Sequence, residues 1–145
     1  MRRRGKVLVV DDDPIVLEIT RDRLQKAGYF VLTRDQALGT STAILQEDPD
    51  VVLLDVTMPG LSGEALAKLI SQNPKHNRTA IIFHSAGEVS DLNSLVERSG
   101  ALGSIQKTGD ESMFRLQFDR LMTKWKAGPG SFPPNEPPSS ASRKG

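Results

Sequence analysis

Five short apolar runs recur along the chain: Val7 to Val10, Tyr29 to Leu32, Val51 to Leu54, Ala80 to Phe83 and a weaker one from Ala101 to Ile105. They are rich in Val, Ile and Leu and lack polar alternation, the pattern of strands buried on both faces of a parallel sheet. Between them lie stretches with apolar residues at helical spacing, among them Val16, Ile19, Leu24 and Ala27, and then Ala65, Leu66, Leu69 and Ile70. Five βα units in series predict an α/β fold with a parallel sheet, right-handed crossovers and helices on both faces. In such a sheet a ligand site lies at the carboxyl ends of the strands, near the switch in strand order.

Local chemistry marks the boundaries. Asp13 followed by Pro14 reads as an N-cap and a first helical residue, and Gly28 after Ala27 suits a helix end, so the first helix is expected from about 14 to 27. "SGE" at 62 to 64 reads as another helix start. The stripe of Phe114, Phe118, Leu121 and Trp125 is expected in the core, with Trp125 at its exposed end. Residues 128–145 are breaker-rich, with too little apolar content to offset their ordering entropy. The expected organisation is therefore a basic tail over 1–5, one domain over 6–127, and a disordered Pro/Ser-rich tail or linker over 128–145.

Charge and cysteine content narrow the function. With 19 basic and 18 acidic residues no overall field favours nucleic acid, and the basic clusters lie at the ends. The absence of cysteine excludes a disulfide frame, thiolate catalysis and Cys-based zinc sites. Only four apolar residues separate the leading arginines from the aspartates, too few for a signal peptide, and no later run could span a bilayer. The expectation is a soluble cytoplasmic protein without membrane insertion or direct nucleic-acid contact.

The residues that end the runs carry the chemistry: Asp11 and Asp12 after the first, Asp55 after the third, Ser85 after the fourth and Lys107 after the fifth. Asp13 is assigned to the helix cap. Asp11, Asp12 and Asp55 would then form an oxygen-rich nest whose mutual repulsion a hard divalent cation offsets. Mg²⁺ suits it, because it takes octahedral oxygen ligands through a few carboxylates and phosphate oxygens. Lys107 and the Ser85 hydroxyl could contact the remaining oxygens of a phosphoryl group.

"VLVVDDDP", "VVLLDVTMPGLSG", "IIFHSA" and the lysine of "SIQKT" resemble the response-regulator receiver domain, in its order and with very similar intervals. Those intervals are 43 residues from Asp12 to Asp55, 30 to Ser85 and 22 to Lys107. The resemblance covers roughly residues 5–126. It implies a flavodoxin-like (βα)₅ doubly wound sheet of five parallel strands in the order 2-1-3-4-5. It implies that Asp55 accepts a phosphoryl group from a histidine kinase, a histidine phosphotransfer protein or a small donor. Asp11, Asp12, Asp55 and the backbone carbonyl of Thr57 would hold Mg²⁺. Lys107 would pair with the phosphoryl group, and Ser85 would move to hydrogen-bond it, biasing the face of helix four, strand five and helix five. Such a protein is no conventional enzyme, although it is expected to release its own phosphoryl group.

Several positions depart from the family pattern. Thr108 stands where proline usually follows the lysine, and a trans peptide is expected there. Ser104 replaces the usual aromatic three residues before the lysine, so no aromatic flip can carry the output. His84 precedes the switch hydroxyl; strand alternation turns it away from Ser85, and a solvent-facing or loop-packing role is expected. Thr57 and Gly87 should flank the approach of water, and Gly87, lacking a side chain, predicts an accessible aspartyl phosphate of modest lifetime.

Two rivals remain open at this point. A haloacid-dehalogenase-like phosphatase would use Asp11 and Asp13 as its D-x-D pair, nucleophile and general acid. A pseudo-receiver would keep the fold and dock partners without phosphorylation. No output domain is recognisable after residue 127, which fits either a stand-alone receiver or one cut from a longer chain.

Overall fold

The structure is a computed structural model and describes residues 5–76 and 78–127. The expected tail over 128–145 and the first four residues of the basic tail lie outside the described residues. The elements follow in the order β1 (Lys6–Val10), α1 (Pro14–Lys26), β2 (Phe30–Arg34), α2 (Thr40–Glu47), β3 (Val51–Asp55), α3 (Gly63–Gln72), β4 (Ala80–Ser85), α4 (Val89–Ser99), β5 (Gly103–Gln106) and α5 (Glu111–Ala127). All strands are parallel, in the sheet order β2-β1-β3-β4-β5.

Strand alternation divides the apolar runs between two helical layers. Val7, Val9, Val51, Leu53, Ala80 and Ile82 face one side, where Leu17 and Leu24 of α1 meet Phe114, Phe118 and Met122 of α5. Leu8, Val10, Val52, Leu54, Ile81 and Phe83 face the other, against Ile44 of α2, Leu66 and Ile70 of α3 and Leu92 of α4. Both layers close fully: Phe83 on one side and Phe118 on the other are inaccessible to solvent. Truncating either ring to alanine would cost about 3–5 kcal/mol.

The helix ends follow from the sequence chemistry. Asp13 caps α1, its Oδ1 accepting from the Ile15 N–H at 2.9 Å and the Val16 N–H at 3.5 Å, with Pro14 as the first helical residue. Ala27 closes the helix, and Gly28 takes φ +99°, the left-handed conformation that turns the chain toward β2. Ser62 caps α3 through the Ala65 N–H at 3.2 Å. Trp125 is half-buried against the α1/α5 core, and its Nε1–H donates to the Arg78 carbonyl at 2.9 Å. Among the described residues no helix is long and apolar enough to cross a membrane.

Candidate functional site

Sheet order brings the strand-end residues together. β1 and β3 are neighbours with Val10 opposite Leu54, so Asp11 and Asp55, one step further along each strand, come side by side. β5 joins the same edge through β4, with Ser85 opposite Gln106 and the Lys107 N–H donating to the Ser85 carbonyl at 2.9 Å. Three carboxylates gather there: Asp11, Asp12 and Asp55 each offer an oxygen within 4.8 Å of the others. Asp11 is 0% and Asp55 2% exposed, whereas Asp12 faces solvent.

The Lys107 ammonium bridges the two buried acids, 2.9 Å from Asp11 Oδ2 and 3.5 Å from Asp55 Oδ2. Each acid is also oriented through its other oxygen. Asp11 Oδ1 accepts from the Asp13 N–H at 2.9 Å, and Asp55 Oδ1 accepts from the Thr57 N–H at 3.0 Å and the Thr57 hydroxyl at 2.8 Å. Asp11 Oδ2 is fully buried and faces the ammonium alone among the described residues. One lysine facing three carboxylates leaves the nest short of positive charge.

The electrostatics follow. Burial pushes the Asp11 carboxyl up from its ordinary value and the Asp55 charge adds to that, against the stabilising Lys107 ammonium and Asp13 N–H. For Lys107, burial disfavours the ammonium, but Asp11 and Asp55 together outweigh it and hold the group above the usual lysine value. A buried carboxylate oxygen whose one partner is the Lys107 ammonium, within reach of two more carboxylates, fits a hard divalent cation of the Mg²⁺ type: the nest offers carboxylate oxygens and no imidazole or thiolate.

Ser85 lies on the same edge but takes no part in the ion pairs. It is buried, and its Oγ accepts from the Gly87 N–H at 3.0 Å. The Gln106 amide reaches the same loop, Nε2 donating to the Gly87 carbonyl at 2.9 Å. His84 corrects one half of its expectation: it does not face solvent, being 4% exposed with its ring 5.8 Å from that of Phe114, and it lines a cavity together with Lys107, Thr108 and Gly109 of the β5–α5 loop. Alternation does turn it from Ser85, but the opposite face of this sheet is the α1/α5 layer rather than water. Burial, with the Lys107 charge nearby, lowers its pKa to about 4, so the ring is neutral at physiological pH. Asp13 is exposed and spends its carboxylate on capping α1, which leaves a D-x-D phosphatase reading without its acid. Sequence reasoning missed the Thr57 hydroxyl and the Gln106 amide. A hydroxyl two residues after a strand-end aspartate is a legible signal for an Asx-type bond, whereas the Gln106 contact depends on how the β4–α4 loop folds back.

The response regulator receiver domain family model matches residues 7–118. The chain is 34% identical over 91 residues to the probable transcriptional regulator ycf27 of Guillardia theta, an alignment covering 63% of this chain and 35% of that protein. It is 28% identical over 107 residues to protein PilH of Pseudomonas aeruginosa, covering 74% of this chain and 88% of that one. The chain thus spans about a third of the ycf27 regulator and most of PilH. Its fold is similar to that of the chemotaxis response regulator CheY4 of Vibrio cholerae, with a TM-score of 0.73 over 81% of this chain and 98% of that one, at 24% identity.

Proposed function

The chain belongs to the response regulator receiver domain family, and from that premise we propose that it is a phosphorylatable receiver, accepting a phosphoryl group on Asp55 with Mg²⁺ and switching a protein-interaction surface. The observation that carries this reading is the Lys107 ammonium set between two buried carboxylates beside a third acid open to solvent. A purely structural ion pair would not need the third acid.

Asp11, Asp12 and Asp55, with the Thr57 carbonyl, would hold the cation. Bound there, Mg²⁺ would neutralise the acids and draw the phosphoryl oxygens toward Asp55. Asp55 Oδ1 is committed to both Thr57 donors, so Oδ2, beside Lys107, is the oxygen free to attack. Its new bond to phosphorus replaces the P–N bond of a phosphohistidine, whose electron pair stays on the imidazole nitrogen. Lys107 then pairs with a phosphoryl oxygen, and the positive charge it brings stabilises the transferring group. Ser85 must release the Gly87 N–H to hydrogen-bond the phosphoryl group, which pulls on the β4–α4 loop and shifts the population of the α4–β5–α5 face. Water reaches the acyl phosphate past Thr57 and Gly87, both exposed, so the protein hydrolyses its own label. The donor is a histidine kinase or a histidine phosphotransfer protein in the cytoplasm, docking beside α1, where Ile15 is 68% exposed.

Backbone amide NMR of the chain and of Asp55→Asn, with Mg²⁺ and then with added beryllofluoride, tests the reading. Shifts around Asp12, Asp55, Ser85 and α4 that vanish in Asp55→Asn are expected. A folded sample silent to both additions would instead identify a docking module that works without phosphorylation.

A further inference from the structure

The loop that carries Lys107 is thinly supported. It runs through Thr108, Gly109 and Asp110 between β5 and α5, and a Cβ built on Gly109 would meet nothing within 4 Å. A cavity of about 300 Å³ opens between it and α1, lined by Val16, Ile19, His84 and the loop itself. The two ends of the loop are fixed: the Lys107 N–H is held by the Ser85 carbonyl, and Asp110 caps α5 by accepting from the Met113 N–H at 3.1 Å. Within the loop, the Thr108 hydroxyl accepts from the Asp110 N–H at 3.0 Å. None of these bonds restrains the Thr108 carbonyl, the peptide oxygen just beyond Lys107.

That oxygen is held from α1. Arg23 Nη1 donates to it at 2.9 Å, across 85 residues of sequence. The guanidinium is itself fixed, lying over the Phe114 ring at 5.4 Å from its centroid, and Phe114 is buried. A planar charged donor stacked on a ring holds its direction, and a charge-assisted bond in a partly buried place is stronger than a neutral one. The lysine ammonium, by contrast, sits at the end of a flexible four-carbon stem, so its position depends on where the backbone beneath it is held.

We infer that Arg23 is a positioning residue for Lys107: by tying the Thr108 carbonyl to α1 it fixes the backbone from which the ammonium reaches Asp11 and Asp55. It supplies from another helix the restraint that a proline after the lysine would supply locally. The inference rests on the receiver reading, which gives Lys107 a phosphoryl group to meet.

The test is the rate of Asp55 phosphorylation from acetyl phosphate with Mg²⁺, for the full chain and for Arg23→Met, Arg23→Lys, Lys107→Ala and the Arg23→Met/Lys107→Ala pair. Arg23→Met is expected to slow labelling about tenfold when Lys107 is present, and not at all when it is already alanine. Arg23→Lys, which keeps a charged donor, should recover part of the rate. An unchanged rate in Arg23→Met, or an equal loss in both backgrounds, overturns the inference, since a general packing role would act without Lys107. If the unaltered chain takes no label, the receiver reading fails, and Arg23 is judged separately from the ¹⁵N signal of the Lys107 ammonium in mildly acidic buffer. Loss of that signal's protection from water exchange in Arg23→Met supports the strap; unchanged protection rejects it.

Discussion

The two ends of the sheet treat their acids differently. At the amino ends of the strands, Asp50 Oδ2 accepts from the Lys6 N–H at 2.8 Å, Asp48 Oδ1 lies 2.9 Å from His76 Nδ1, and Glu47 sits 3.7 Å from the Lys6 ammonium. Those three acids are solvent-exposed, and each meets a different group: the Lys6 N–H, the His76 ring and the Lys6 ammonium. At the carboxyl ends, two of the three acids are buried, and they share a single lysine. The first arrangement is finished by the protein alone. The second lacks positive charge that only something from outside can bring, and an incomplete set of partners at a buried site is what distinguishes binding machinery from scaffolding.

The contrast can be broken most forcefully at the carboxyl end. Asp11→Asn combined with Asp12→Asn should weaken Mg²⁺ binding by roughly a thousandfold, because hard cations are held by ligand charge and number. NMR titration would measure this, and near-normal affinity would place the cation elsewhere. His84 gives the next largest effect. Its folded pKa near 4 lies below the ordinary 6.5, so the unfolded chain binds more protons between those values, and stability falls as the pH drops through that window. Urea unfolding without metal should show a loss of about 3 kcal/mol between neutral pH and pH 4 relative to His84→Leu. Parallel pH profiles for the two proteins would contradict the buried neutral ring. Asp13→Ala should cost about 1 kcal/mol in the same assay through loss of the α1 cap, with Mg²⁺ affinity intact. A collapse of metal binding there would move Asp13 into the site. Smallest of all is Asp48→Asn at the finished end: Asp48 is exposed although His76 is buried, an asparagine Oδ1 can still accept from His76 Nδ1, and φ 49° suits asparagine, so stability should stay within about 0.5 kcal/mol.

The strands buried on both faces were the most legible in the sequence. β1, β3 and β4 begin at or one residue before their apolar runs, because a strand covered on both faces starts as an unbroken apolar run. The edges drifted. β2 starts at Phe30 and continues through Thr33 and Arg34, since it pairs with β1 alone and its rim tolerates polar residues. β5 starts at Gly103 rather than Ala101, and α2 only at Thr40, after Gly39 takes the left-handed conformation; Ala37 packs on the core from the preceding loop. The convergence of Asp11, Asp12 and Asp55 follows from topology, because a doubly wound sheet places every strand's carboxyl end on one edge. The solvent-facing alternative for His84 failed because polarity was taken to mean exposure on a strand whose both sides are covered. The Arg23 bond to Thr108 left no local mark at all, since a contact between α1 and the β5–α5 loop exists only after the whole sheet is assembled.

The ion pair between Asp11 and Lys107 joins the residues that directly follow the first and the last strand. Closing so long a loop is entropically unrewarded until the intervening strands have paired, so this contact belongs to the late steps of folding. A nascent or partly unfolded chain without β5 in place would present the aspartates with no ammonium between them. The charge pattern of this edge is therefore complete only when the whole sheet is, and the Asp11–Lys107 pair reports that the last strand has docked.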